Sequence, residues 1–397
     1  MVKLLWIGRT FPAASTSGDR VYSRGLAQST ADAGAAITFI GLPDPEASAS
    51  DRAALHPSIV WRRVPGRPNG TLKALASLLP LVGKRHATAS FRREIGRALR
   101  GECYDIVVLD QYGTAWALDE LDRAGIALPV VYIAHNDETQ LAVQIHRDSA
   151  DSIPRRLALK LNAWKIARAE RRLLARASLV VTLTPEDADA FGRMGAADVD
   201  VIAPGHPGAG SGRVRTIDAE TPRRVVLFGS FKWVAKQMNL KAFVAAADAR
   251  FYEAGIVLDV VGEAPQVLRE QLGALRATRL HGFVVDPAPI LASARIGVVP
   301  ELTGGGFKLK TLDYIFAGVP VAGLAEALAG LPDNVRANVL ATDDLPGLVD
   351  LICRKIDDVE DLDRLQRGAL QAADRVFSWP DNGVRFVDRL ERLVARS

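Results

Sequence analysis

The clearest chemistry in this chain lies in residues 295–323, RIGVVPELTGGGFKLKTLDYIFAGVPVAG. Ile296 to Val299 is an apolar run of buried-strand type, and Gly304, Gly305 and Gly306 follow it as a loop. Lys308 to Ala317 then has Leu309, Leu312 and Phe316 at helical spacing, with Gly318 and Pro320 as stops. A strand, a glycine loop and a helix start together suit an anion. Bare backbone N–H groups can approach a phosphate, and the helix dipole favours its charge. Lys308 and Lys310 fall in the first predicted turn, where the dipole disfavours cations, so an anion beside them is expected. The loop alone is also compatible with a tight strand-to-helix turn carrying solvated lysines.

Such a loop needs a sheet beneath it. Strand-like runs recur at Lys3 to Ile7, Ile37 to Ile40, Ile106 to Leu109, Val130 to Ile133 and Leu179 to Thr182. A second set lies at Val225 to Phe228, Val257 to Val261, Ile296 to Val299 and Val319 to Ala322. Amphipathic segments of helix length separate them, which predicts parallel sheets covered on both faces. Between the sets, Ala203 to Pro222 is rich in Gly, Pro and Ser without periodicity and reads as a linker. The expected architecture is α/β, with two doubly wound domains whose strand ends face a common cleft. The expected bounds are 1–203 and 223–376, joined by a linker at 204–222 and followed by a terminal segment at 377–397.

Composition removes several classes. With 397 residues, two or three domains are expected. Cys103 and Cys353 stand far apart, supporting neither a disulfide framework nor a thiolate metal site. The six histidines lack metal-ligand spacing. The first strand is not followed by G-x-G-x-x-G, which counts against a nicotinamide enzyme. A net charge of +4 without an aromatic-basic module argues against nucleic acid as a partner. The N-terminus reads as a buried strand rather than a signal peptide, and no run reaches membrane-spanning length, so a cytoplasmic protein is expected.

Against this layout the chain resembles the GT-B glycosyltransferases, and among them glycosyltransferase family 4. The glycine loop and Leu312, Asp313, Tyr314, Gly318, Pro320 and Val321 are similar to the family's donor-binding pattern. VLFGSFKWVAKQMNL, with Gly229 and Lys236, is similar to its phosphate strand and loop. VLDVVGEAP around Gly262 and LHGFVVDPAPILASARIGVVP around Gly282, with Val284, add two further matches. VYIAHNDE around His135 resembles the segment that brings a histidine into the cleft. ERRLLARASLVVTLTPEDADAF resembles the close of the first domain, and Phe377 to Leu393 looks like the terminal helix that crosses back onto it.

The chain also departs from the family. The Glu-x7-Glu pair becomes Gly305 and Asp313, and Ser230 stands where an arginine commonly follows the phosphate-strand glycine. Asp313 would still accept the ribose hydroxyls, with a shorter reach. Lys232 or Lys236 would carry more of the diphosphate charge. The resemblance therefore implies a nucleoside-diphosphate sugar as donor, no cofactor or metal, and a saccharide or lipid-linked acceptor. Retaining stereochemistry is implied in the same way.

Lys236, Lys310 and His135 are the candidate catalytic residues. Lysines and loop N–H groups can stabilise charge on the leaving diphosphate without proton transfer. Gly229, Ser230, Lys232, Gly262, Val284, Gly304, Gly305, Gly306, Phe307, Lys308, Leu309 and Asp313 are the candidate donor-binding residues. Gly18 and Asp19, in the loop after the first strand, are candidates for the acceptor or sugar, although a helix N-cap accounts for the same letters. Glu263 reads as a solvated glutamate.

A nucleotide-sugar epimerase or hydrolase on the same scaffold is one alternative, disfavoured by Gly305 in place of a carboxylate. A catalytically silent partner subunit is the other. Two stretches of the first half are strongly basic. From Arg52 to Arg100 eleven Lys or Arg face one acid, Glu94, and from Pro154 to Arg176 eight face Glu170. With the apolar LKALASLLPLVG between Arg52 and Arg100, they suggest contact with an anionic membrane surface at the inner face of the cytoplasmic membrane.

Overall fold

The structure, a computed structural model, describes residues 1–13, 17–44, 47, 51, 53, 55–70, 77–148, 152–211, 215–302 and 305–396. They form two compact units, Met1–Pro204 with Trp379–Ser397, and Gly205–Ser378.

The first unit holds β1 (Lys3–Thr10), β2 (Ala36–Leu42), β3 (Val60–Arg63), β4 (Ile106–Asp110), β5 (Val130–Ala134), β6 (Leu179–Thr182) and β7 (Val199–Val201). All pairs are parallel, in the order β3-β2-β1-β4-β5-β6-β7. The second unit holds β8 (Arg224–Phe228), β9 (Val257–Val261), β10 (Thr278–Gly282), β11 (Ile296–Val299), β12 (Val321–Leu324) and β13 (Leu340–Thr342). Its parallel order is β10-β9-β8-β11-β12-β13. Each sheet reverses its winding once, between β1 and β4 and between β8 and β11. Helices cannot cover the crevice at such a switch point, so ligands are expected at the carboxyl ends of those strands.

Central strands are mostly apolar because both faces are covered: β4 and β5 are buried at every residue, with Asp110 the charged exception at the end of β4. The four strands that the sequence reading missed, β3, β7, β10 and β13, are the four sheet edges. None is buried along its whole length, and β10 alternates buried and open residues, so the signal of a central strand is absent. The strand expected at Val319 to Ala322 runs from Val321 instead. Val319 N–H closes the preceding turn on Tyr314 O at 2.9 Å, and Pro320 has no N–H to give. The helix expected at Lys308 to Ala317 is shorter, Lys310–Phe316, leaving Lys308 and Leu309 in the loop.

The terminal helix, Trp379–Val394, packs on Gly18–Asp32 in the first unit. Two glycines allow this approach. A Cβ on Gly25 would meet the Trp379 ring at 2.2 Å, and one on Gly383 would meet Ser29 O at 2.1 Å. The segment read as a linker lies with the second unit from Gly205 onward. His206 N–H donates to Phe377 O at 2.8 Å, Gly210 N–H to Asp374 at 2.6 Å and Ile217 N–H to Asp363 at 2.9 Å. Among the described residues no helix is long and apolar enough to cross a membrane, and no group of three or more His, Cys, Asp and Glu is placed to hold a metal.

Candidate functional site

Each unit has a cavity at its switch point. In the first, Arg9 and Thr10 end β1, Asp110 and Gln111 leave β4, and His135 follows β5. The Gly18–Asp32 helix supplies Asp19 and Arg20. His135 is buried, its Nε2 is 2.7 Å from Asp110 Oδ1, and Tyr22 stands edge-on to its ring at 5.4 Å. Burial alone would lower the His135 pKa, but the hydrogen bond and charge of Asp110 raise it above the ordinary value. Trp6 Nε1 donates to the other Asp110 oxygen at 2.9 Å and fixes that carboxylate. Asp19 pairs with Arg9 at 2.6 Å. Burial opposes its ionisation, but Arg9, Ser17, His135 and Arg20 outweigh that and hold it at about 2. His135 and Asp19 are thus in one cavity, and Gly18 opens the adjoining helix.

A buried carboxyl supports the loop after His135. Glu170 accepts from Thr139 N–H at 2.8 Å and Glu138 N–H at 3.2 Å, so it caps the helix Glu138–Asp148. Burial, with Asp137 and Glu138 adding to it, pushes its pKa up to about 8 against the bonds from Thr139. The folded chain keeps this proton where the unfolded chain releases it. The contribution is therefore full below about 4.5 and lost as pH rises to about 8. We expect the melting temperature to fall between pH 5 and pH 8, and Glu170→Gln to flatten that fall. An equal slope in both proteins, by calorimetry, would contradict the assignment.

The second unit's cavity lies between the ends of β8 and β11. Gly229 and Phe231 follow β8, Pro300 and Glu301 follow β11, and Lys236 and Lys310 come from the helices Val234–Glu253 and Lys310–Phe316. The anion expected beside the lysines is partly the chain's own. Lys310 Nζ pairs with Glu301, and Lys308 Nζ donates to Gly306 O at 2.9 Å and to Gly305 O. Two lysines against one carboxylate leave the cavity lining net positive. Glu301 Oε2 is buried with no hydrogen-bond partner among the described residues.

Gly262 packs against Gly229 of this lining. At φ +137° it lies so near Gly229 that a Cβ would stand 1.7 Å from Gly229 O. Gly229 N–H donates to Val261 O at 3.1 Å, and Gly262 N–H to Gly282 O at 2.8 Å, which ties the ends of β8, β9 and β10 together. Ser230 follows Gly229, and Lys232 is paired with Glu263 at 2.8 Å. Val284 lies two residues past β10, beside the exposed Phe283. Gly304 lies outside the described residues, whereas Gly305, Gly306, Phe307, Lys308 and Leu309 lead into the helix. Asp313 is half-exposed, and His206 Nε2 is 3.3 Å from its Oδ1. His206 stacks on Phe316 at 4.6 Å, and its Nδ1 accepts from Gly208 N–H at 2.9 Å.

Residues 17–205 match the Glycosyl transferase 4-like domain, and residues 222–358 match Glycosyl transferases group 1. The chain belongs to the GT-B glycosyltransferases. Solved structures share its fold. Sucrose-phosphate synthase (tll1590) from Thermosynechococcus elongatus is 19% identical with a TM-score of 0.72, and all of both chains is covered. Anabaena Alr3699/HepE in complex with UDP and glucose is 16% identical with a TM-score of 0.64, over 99% of this chain and 100% of that one. WaaG, a glycosyltransferase involved in lipopolysaccharide biosynthesis, is 15% identical with a TM-score of 0.66, over 97% and 99%. No curated protein matches the sequence.

Arg9, Asp110, Glu301 and His206 were missed in the sequence reading of this glycosyltransferase. The first three share a signal, a charged residue at or just beyond the carboxyl end of a strand beside a switch point. His206 gave none, since it stood in what read as linker.

Proposed function

We propose that the glycosyltransferase moves a sugar from a nucleoside-diphosphate sugar to a saccharide or lipid-linked acceptor, with retention and without a metal, in cell-surface polysaccharide or glycolipid assembly. The observation that carries this is the net positive cavity at the β8/β11 switch point, lined by Lys236, Lys310 and Gly229. As the bond from the anomeric carbon to the β-phosphate oxygen breaks, charge grows on the diphosphate. Fixed ammonium groups stabilise it there without taking or giving a proton. The acceptor oxygen bonds to the same carbon and passes its proton to the departing β-phosphate oxygen.

Glu301 aims Lys310, and its Oε2, without a partner among the described residues, accepts a donor-sugar hydroxyl, the part left open by glycine at 305. Asp313, steadied by His206, accepts the ribose hydroxyls. His135 orients the sugar, with its proton held toward Asp110. That Anabaena HepE was solved with UDP-glucose supports a uridine nucleotide as the first donor to try. A thermal-shift series with UDP-, GDP-, ADP- and TDP-sugars tests the reading. The right donor at about 100 times its Kd stabilises by about 2.7 kcal/mol. No shift with any of the four would oppose it.

The acceptor side is proposed to work at an anionic membrane surface. In the helix Ile153–Arg176 the first residue buried is Ala163, and Ile153, Leu157, Leu161 and Trp164 are all exposed. At 100° per residue these four fall within an arc of about 80°. Arg156 and Lys160 lie along one edge of the stripe. Arg92 and Arg97, by contrast, are engaged with Glu120 and Glu94. Sedimentation with anionic vesicles is expected to show salt-sensitive binding that Leu157→Ser/Trp164→Ser reduces at least tenfold. Equal behaviour on neutral and anionic vesicles at low salt would contradict it.

A further inference from the structure

The residue after β4, Gln111, combines two features that the site described so far does not use. Its backbone is at φ 74° and ψ 152°, and it is the one residue other than glycine with positive φ among those described. That region is sterically open to glycine and closed to nearly everything else, because a Cβ there crowds the flanking peptide groups. The strain is held by a complete set of backbone bonds. Gln111 N–H donates to Ile133 O at 2.9 Å, and its carbonyl accepts from Thr114 N–H at 3.0 Å and Thr114 Oγ1 at 2.7 Å. Glycine would make every one of these bonds without the strain. The fold therefore does not ask for the side chain.

The second feature is that side chain's oxygen. Oε1 of Gln111 is buried and has no hydrogen-bond partner among the described residues, although the residue lines the first unit's cavity. A buried amide oxygen without a donor is costly, so native structures rarely keep one unless something arrives to bond it. The cavity around it is polar, with Arg9 and Asp19 in an ion pair and His135 against Asp110. Gly113 lets Arg9 lie across the same turn, since a Cβ there would meet Arg9 Cδ at 2.7 Å. The fixed charges of this wall are largely paired with one another. The unmet demand is for a neutral donor, and a hydroxyl is the group that fits.

We propose that Gln111 is a substrate-binding residue that accepts a hydrogen bond from a hydroxyl of the acceptor saccharide, and that its strained backbone is retained to aim the carboxamide into the cavity. This rests on the glycosyltransferase reading above. Gln111 does not take part in bond making, and it sets which hydroxylated acceptor is held.

The test uses two variants of the full chain. Gln111→Gly removes strain and carboxamide together, whereas Gln111→Ala removes only the carboxamide. The Gly variant is expected to melt about 2–4 °C higher than the native chain, and the Ala variant to show no such gain. Nucleotide release is then measured with whichever of UDP-, ADP-, GDP- and TDP-glucose the native chain turns over. It is read in water alone and with glucose, fructose and their 6-phosphates as probe acceptors. Measured against its own release in water, each variant should lose about tenfold in the acceptor-stimulated kcat/KM, mainly through KM.

Native acceptor-dependent rates in both variants would overturn the proposal. So would a native rate in Ala with a loss in Gly, which would assign the effect to the backbone. No rise in melting temperature for Gly would remove the strain argument, and no stimulation of the native chain by any probe saccharide would count against a saccharide hydroxyl. A native chain that releases nucleotide from none of the four donors would instead sink the glycosyltransferase reading.

Discussion

Lys310→Ala and Lys236→Ala are each expected to lower kcat/KM for the nucleotide sugar by at least tenfold with the fold retained. Losing a hydrogen bond to a charged group costs about 1.5–3 kcal/mol, which is about 10- to 150-fold in rate. The two variants should differ in stability. Lys310 neutralises Glu301, whose side chain is almost wholly buried, so its removal leaves a buried carboxylate unpaired. A second change, Glu301→Gln, should restore the melting temperature of Lys310→Ala without restoring turnover. Recovery of turnover in that double variant would show that Lys310 serves Glu301 and not the phosphate. Native rates in both single variants would mean that the diphosphate binds elsewhere.

The second large effect is steric. Gly262→Ala would place a methyl group 1.7 Å from Gly229 O at a φ of +137°, a conformation that alanine resists even in open space. Neither backbone can move without breaking the bonds that join the ends of β8, β9 and β10. Strain and overpacking each cost about 1–3 kcal/mol, so a loss of about 2–6 kcal/mol is expected in the second unit. Gly273→Ala is the control. Its φ is +69°, but a Cβ there meets nothing within 4 Å, so only the strain remains. A melting curve for Gly262→Ala no lower than that for Gly273→Ala would show that the close approach is not rigid. If the approach is rigid, nucleotide affinity should fall with stability in Gly262→Ala and survive in Gly273→Ala.

These residues also show what could be read before the fold was known. The central strands were legible because burial on both faces favours near-continuous apolar runs, as in the IVVL of β4 and the VVYIA of β5. The edges β3, β7, β10 and β13 carry no such demand and were invisible. Lys236, Lys310, His135 and Asp19 were legible as charged or polar groups following strands or glycine loops. Their partners were not. That Glu301 pairs with Lys310 and Asp110 with His135 depends on which strands lie side by side at a switch point, and local spacing does not encode that. Gln111 was hidden for a related reason, since a strained φ has no signature when the residue is not glycine. His206 was masked by composition: it stands in a stretch of glycines and prolines that reads as a linker, and that stretch bonds to the second unit through Gly210 and Ile217.

The central claim is that the second unit's net positive cavity holds a nucleoside-diphosphate sugar for transfer. The most direct measurement is nucleotide release from UDP-, GDP-, ADP- and TDP-glucose by the native chain, run beside Lys236→Ala and Lys310→Ala/Glu301→Gln. The account predicts release from one of the four donors by the native chain, and a rate at least tenfold lower in both variants at equal folded fraction. Release at the native rate by either variant, or from none of the donors by the native chain, would contradict it.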